Sequence, residues 1–288
     1  MAHLDHAVGE FSGLALHMNQ ENATGRWMPS PLLYASGLIH FGAAAAVLAR
    51  PRAWPWALGA VAANHIALAA AGLWPRSQLL GPNWTHLPVQ AGATAGVAIT
   101  IDDGPEPQVT PQVLAQLDEQ HACATFFCVG ERVLRYPDLA QEIVRRGHVI
   151  ENHSQRHRHN FSLLGPGAMS AEISRAQESI FRVTGSKPQF FRAPAGLRNP
   201  FLDPVLARLK LRLASWTRRG FDTVNGDADA VLQRLAGPLQ DGDILLLHDG
   251  HAARSRSGKP VILEVLPRLL DALKSKRLRP VTLRSALR

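Results

Sequence analysis

The chain has 288 residues, 46% of them hydrophobic, enough for one large barrel-type domain with a sizeable core and a smaller element beside it. Its formal net charge is +8, but Lys and Arg are scattered, and the densest run (Lys274 to Arg279) has no interleaved aromatics to stack bases, so no nucleic-acid partner is expected. Cys123 and Cys128 flank an apparent strand, too far apart in extended chain to bridge; they read as buried thiols and leave the redox compartment open.

Residues 1–30 form a polar N-terminal segment without the basic start, apolar run and cleavage site of a signal peptide. The composition then changes. Residues 31–49 and 53–75 carry no charged side chain, and Arg50 and Arg52 stand between them. Each run approaches the ~20 residues that a helix needs to cross a bilayer. Trp27, Trp54, Trp56 and Trp74 mark the ends, as in an interfacial aromatic belt, and Gly, Ala and Ser dominate the interiors. We therefore expect a transmembrane helical hairpin at 31–75. The alternative is a pair of buried Ala-rich helices in a soluble domain, which His40, Asn64 and His65 would suit better than lipid. The two arginines of the short loop favour a cytoplasmic loop, with both ends of the chain outside an inner membrane and the C-terminal domain in the periplasm; Arg76 pulls weakly the other way. Residues 76–94, punctuated by Pro82, Asn83, Pro88 and Gly92, read as a linker.

From 95 to 288 short apolar runs alternate with helical stretches. Strands are expected at 97–101, 124–129, 148–151, 189–192, 211–216, 244–247 and 280–283. Helices are expected at 109–121, 131–146, 170–184, 202–209, 228–237 and 261–276. The alternation predicts an α/β fold, an irregular (β/α) barrel of about seven strands, with an open doubly wound sheet as the alternative.

The polar clusters fall just after strands, where a barrel carries its active site. Asp102 and Asp103 end the first run before Gly104 and Pro105, and strand alternation aims the two carboxylates in different directions. His153 and His157 follow the third strand at a spacing that one helical turn would align. With one carboxylate they make a two-His, one-carboxylate set that leaves positions open for water and substrate, and that suits zinc, cobalt or nickel. Arg192 ends the fourth strand, Asp222 lies beyond Trp216, and His248-Asp249-Gly250 follows the sixth. Asp249 reads as a turn residue.

These segments together resemble the polysaccharide deacetylase (NodB homology) family, the family 4 carbohydrate esterases. Thr100-Ile101-Asp102-Asp103-Gly104 is similar to its first motif, His153-Ser154-Gln155-Arg156-His157 to its second, Arg192-Ala193-Pro194-Ala195-Gly196 to its third, and Leu246-Leu247-His248 to its fifth, in family order. The resemblance implies that Asp103, His153 and His157 hold a divalent metal. It makes Asp102 the general base, His248 the general acid and Arg192 the orienting group for Asp102. Asp222, similar to the second Asp of the fourth motif, would anchor Arg192. Leu246 would line the acyl pocket, and the Ala195 N–H would meet the oxyanion. The chain departs from the pattern at Arg219, which stands where that fourth motif has its first Asp, and at Ala195, where an aromatic is usual. The implied activity is removal of an N-acetyl or other N-acyl group from an amino sugar in a glycan or a lipid-linked saccharide. An O-acetyl carbohydrate esterase and a non-catalytic carbohydrate-binding domain of the same fold are the alternatives.

Overall fold

The computed structural model describes residues 27–88 and 96–287. The expectations for 1–26 and 89–94 lie outside these residues. The chain opens with two helices, α1 (Pro31–Ala49) and α2 (Trp54–Leu73), joined through a single turn of 3-10 helix at Pro51–Ala53. Ser30 caps α1 by accepting from the Leu33 N–H, and Pro31 starts it at a position where its missing N–H costs nothing. The two helices pack on each other, with Asn64 Nδ2 donating to Ser36 Oγ at 2.9 Å and His40 Nε2 3.3 Å from His65 Nε2. Among their residues only Ser36, Asn64, Ala71 and Gly72 are buried. Leu38, Phe41, Leu48, Trp56, Leu58 and Ile66 face outward. The alternative of two buried core helices therefore fails: the polar groups meet one another in the helix contact, and the apolar surface is on the outside.

The remainder is an α/β barrel left open along one side. β1 (Gly96–Asp102), β2 (Thr125–Cys128), β3 (Val149–Asn152), β4 (Phe190–Phe191), β5 (Arg212–Leu213), β6 (Arg218–Arg219) and β7 (Ile244–His248) run parallel in the order β5-β4-β3-β2-β1-β7-β6. β8 (Arg279–Val281) pairs with the start of β1. Around them lie α3 (Thr110–Glu119), α4 (Gly130–Arg135), α5 (Pro137–Arg145), α6 (Pro166–Thr184), α7 (Leu202–Leu209), α8 (Ala228–Ala236) and α9 (Ile262–Ser275). The helix expected at 131–146 is divided at Tyr136, because Pro137 starts a new helix rather than continuing the old one. β6 was not anticipated: two arginines carry no strand signal.

Alternation along the strands sorts the core into two shells. Val97, Ile99 and Ile101 of β1 and Leu245 and Leu247 of β7 point outward, where they pack under Val113, Leu117, Val265 and Leu269 of the helices. Each such side chain contributes about 1.5–3 kcal/mol by leaving water. Ala98 of β1, Phe127, Phe190, Ala214, Trp216, and Ile244 and Leu246 of β7 fill the interior. The next residues up the inner face are Asp102 and His248, which are paired in register. Between Ala98 and Asp102 the same face carries Thr100, so the inward face of β1 turns polar toward its C-terminal end.

The stretch expected as a linker is, at 76–88, part of the barrel wall. Trp84 N donates to Leu213 O at 2.9 Å, Ser215 N donates to Trp84 O at 2.8 Å, and Leu87 N donates to Gly242 O at 2.8 Å. The Trp84 ring meets Phe190 edge-on at 5.1 Å. This segment bridges the end of β5 and the start of β7, which a turn-rich composition does not reveal.

Candidate active site

The C-terminal ends of β1, β3, β4 and β7 converge on one cluster. Asp102 is the last residue of β1 and points inward. Asp103 follows with φ 76°, a left-handed conformation that Asp tolerates better than most residues. That turn brings the Asp103 carboxylate back over the barrel, so the two carboxylates share one site where plain alternation would have separated them. Gly104 keeps this turn compact: a Cβ there would lie 2.5 Å from an Asp249 carboxylate oxygen.

His153 and His157 are brought together by a loop, not by the expected helical turn. Ser154 and His157 both adopt positive φ, at 64° and 48°. Asn152 Oδ1 accepts from the Ser154 N–H at 2.9 Å, and Ser154 Oγ accepts from the His157 N–H at 3.0 Å. The imidazole centroids end 4.8 Å apart. His159 stays off the cluster, 6.4 Å beyond the His157 ring.

Asp103 Oδ1 is 3.4 Å from His153 Nε2 and 3.2 Å from His157 Nε2. Donor atoms held at ~2.0–2.1 Å by one tetrahedral ion lie about 3.3 Å apart, so the set fits a metal of that kind. Two further observations support the fit. Asp103 Oδ1 is buried without a hydrogen-bond partner. His153 Nδ1 lies 2.9 Å from the Arg192 carbonyl oxygen, to which it donates, and this leaves the Nε2 lone pair aimed at Asp103. Burial opposes ionisation of Asp103, but the neighbouring imidazoles of His153, His251 and His248 hold its carboxyl well below the usual range. Burial together with the neighbouring His153 charge pulls His157 down to about 4. His153 is itself raised, since Asp102 and Asp103 outweigh its burial.

The second half of the cluster surrounds Asp102. Arg192 is 1% exposed, and its Nη1 donates to Asp102 Oδ1 at 2.6 Å and to Thr100 Oγ1 at 2.8 Å. Nη2 donates to Ser215 O at 2.7 Å, Nε donates to Ala214 O at 3.2 Å, and Phe127 lies under the guanidinium at 4.1 Å. Asp222 does not reach Arg192. Its Oδ1 lies 2.9 Å from His248 Nδ1 and its Oδ2 accepts from the His248 N–H at 2.7 Å. The anchor expected for Arg192 is therefore the anchor of His248, because the loop after β6 returns beside β7 and not beside β4. Burial disfavours charge on His248, yet Asp222 prevails and lifts its pKa to about 9. Leu246 lies two residues below His248 on the same inner face, and Ala195 sits exposed in the turn after Arg192 with φ 55°.

Three residues of the cluster had no clear signal in the sequence. His251 Nδ1 lies 3.4 Å from Asp103 Oδ2. Thr100 braces Arg192 from inside the first strand. Asp249, read as a turn residue, is 1% exposed; it accepts from Thr110 Oγ1 at 2.5 Å and from the Gly250 N–H at 2.9 Å. Burial, with Asp103 nearby, pushes its carboxyl up to about 7. The His251 ring is exposed, and nothing in its flanking sequence separates it from a surface histidine.

Comparison with known proteins bears on this arrangement. Residues 91–214 match the family model described as polysaccharide deacetylase. The chain is 33% identical over 200 residues to a peptidoglycan-N-acetylglucosamine deacetylase of Bacillus cereus, covering 67% of this chain and 88% of the relative. It is 31% identical over 159 residues to a chitooligosaccharide deacetylase of a Bradyrhizobium species, covering 55% of this chain and 72% of that one. Among solved structures, a family 4 carbohydrate esterase from Streptomyces lividans in complex with acetate superposes with a TM-score of 0.59 at 32% identity, covering 65% of this chain and 93% of that chain.

Proposed function

The chain belongs to the polysaccharide deacetylase family and is a hydrolase of carbon–nitrogen bonds other than peptide bonds, and on that premise we propose that it removes an N-acetyl group from an amino sugar, in a glycan or in a lipid-linked saccharide. The observation that carries this reading is the pairing of a metal-type donor set with two opposed proton-handling groups at one barrel end. The named substrates of the relatives, peptidoglycan N-acetylglucosamine and chitooligosaccharide, are both N-acetylated amino sugars.

Asp103, His153 and His157 would hold a divalent metal, with zinc, cobalt or nickel suited to the donors. When bound, such an ion polarises the acyl carbonyl and lowers the pKa of water toward ~7. The chain supplies the proton traffic. Asp102 accepts the proton of the attacking water, and Arg192 Nη1, bonded to its Oδ1, holds the carboxylate in place. The Ala195 N–H, in the turn after Arg192, stabilises the oxyanion that forms as oxygen adds to the acyl carbon. His248 carries a proton on the nitrogen opposite Nδ1 and gives it to the departing amine as the C–N bond breaks, releasing acetate and a free amino sugar. Asp222 fixes the His248 tautomer and favours its charged form. Leu246 forms the apolar floor for the acyl methyl. An ester would leave as an alkoxide without such help, so the investment in His248 favours an amide substrate over an O-acetyl group. The non-catalytic alternative is disfavoured by retention of every group that the reaction needs.

We also propose that residues 31–75 span the inner membrane with Arg50 and Arg52 in the cytoplasm and the barrel in the periplasm. The charge-free lengths and the outward apolar surface of α1 and α2 support this. The metal assignment is tested by chelation and by metal analysis of variants. Dipicolinate removes activity, and added zinc or cobalt restores it. His153→Ala loses the metal, whereas His248→Ala keeps it and loses turnover. Equal metal loss in both variants refutes the division of roles.

A further inference from the structure

The hairpin does not stand apart from the catalytic cluster. Gly72 O, at the end of α2, accepts from the Arg198 N–H at 3.1 Å, and a Cβ on Gly72 would lie 2.2 Å from Arg198 O. Pro75 O accepts from Ser215 Oγ at 2.7 Å. Arg76 Nη1 donates to Thr217 O at 3.1 Å, and Trp27 Nε1 donates to Asp203 Oδ2 at 2.8 Å. Pro75 and the Trp216 ring both press on Gly196, where an added Cβ would lie 2.7 Å from the one and 2.6 Å from the other. Gly196 belongs to the turn that follows Arg192, and the Trp216 ring lies 5.8 Å from the Arg192 guanidinium. Pro75, Trp216 and Arg192 thus form a line of neighbours from the foot of the hairpin to the carboxylate of Asp102. A span that ends here sets the cleft at the bilayer surface. The loops on the same end of the barrel fit that position: Leu163, Phe201, Phe221 and Val224 are exposed there, as are Met28 and Trp74 at the hairpin foot.

Arg219 supplies an independent observation. It pairs in register with Leu246, and its guanidinium lies 5.6 Å from the Trp216 ring and 4.9 Å from the Phe221 ring. Its Nε is buried without a partner, and among the described residues no carboxylate lies within ion-pair distance of it. A guanidinium held between two aromatic rings with its donors unspent is a receptor for a bidentate anion, phosphate above all. It stands between the hairpin side of the cleft, marked by Trp216, and the exposed rim at Phe221.

We propose that the substrate is an N-acetylated amino sugar joined through a phosphate to a membrane lipid, and that Arg219 reads the phosphate while the hairpin foot and apolar rim seat the cleft on the bilayer. The proposal rests on the deacetylase and membrane readings above. It is specific about which amino sugar carrier the cleft faces.

The test uses the full, metal-loaded chain in zwitterionic phosphatidylcholine vesicles, with two probes: a polyprenyl-phosphate N-acetylglucosamine in the same vesicles and soluble chitotetraose. Acetate release is measured for each. The wild type is expected to show a higher kcat/KM on the lipid probe. Arg219→Gln is expected to lower the ratio of lipid to soluble kcat/KM by roughly 10- to 100-fold, mostly through KM, with Arg219→Lys in between. A second variant, Trp74→Asp, is expected to lower the same ratio by weakening the seat. An unchanged ratio in Arg219→Gln, or turnover of chitotetraose alone by the wild type, overturns the proposal and leaves deacetylation standing. Release of acetate from neither probe overturns the underlying reading as well.

Discussion

Replacement of Asp102 separates its two roles, because the residue holds a buried cation and also faces the cleft. Arg192 is buried, and Asp102 Oδ1 at 2.6 Å is its one carboxylate partner among the described residues. Its remaining acceptors, Thr100 Oγ1, Ala214 O and Ser215 O, are neutral. In Asp102→Ala the guanidinium stays buried without a counter-charge, at a cost of about 3–5 kcal/mol. At ~2–4 °C per kcal/mol for a domain of this size, the melting temperature falls by roughly 6–20 °C. Asp102→Asn keeps an oxygen acceptor for Nη1, so the cost falls to about 1–3 kcal/mol. Both variants lose the proton acceptor, and each is expected to hydrolyse ~10²- to 10⁴-fold more slowly. Thermal denaturation and acetate release on the same metal-loaded samples read the two effects apart. Hydrolysis by Asp102→Asn within about tenfold of wild type refutes the general-base role. A melting temperature of Asp102→Ala within about 2 °C of wild type refutes the argument from the buried charge.

His248 is raised to about 9 by Asp222, so it is charged at neutral pH and loses its proton as the pH climbs through that value. The rate should therefore fall on an alkaline limb near 9, and Asp222→Asn should bring that limb down toward the ordinary histidine value; a kcat–pH profile with an unmoved limb contradicts the coupling. For membrane topology, alkaline phosphatase fused after Leu287 should be active and a fusion at Arg52 inactive, and the opposite pattern would reverse the orientation.

The barrel was legible in the sequence because its inner and outer shells impose different patterns on the same strands. Val97, Ile99 and Ile101 announce a strand, and Asp102 and Asp103 announce where it stops. The metal-type donors were legible through the resemblance: the spacing of His153 and His157 is weak evidence alone, and it gains weight from the ordered motifs around it. How they are paired was not legible. The left-handed residues Ser154 and His157 depend on the Asn152 side chain, which Gln177 and the Ile173 carbonyl hold in place from α6. The partner of Asp222 was hidden for a topological reason. It is chosen by the neighbour relation between β6 and β7, and a strand of two arginines gives no sign that β6 exists. The division at Pro137 was readable from proline chemistry but lay inside an otherwise continuous helical period. His251 needed the fold outright, since only the turn after Asp249 carries it to Asp103.

The docking of residues 84–87 between the end of β5 and the start of β7 has a consequence for how the barrel is held together. Sheet edges left bare are templates for pairing with other chains. Here the segment that follows α2 covers the β5 edge by the Trp84 hydrogen bonds and reaches the start of β7 through Leu87. Hairpin and barrel are therefore joined by ladder hydrogen bonds and not by a free tether, and a chain cut between them is expected to bare the β5 edge for pairing with other chains.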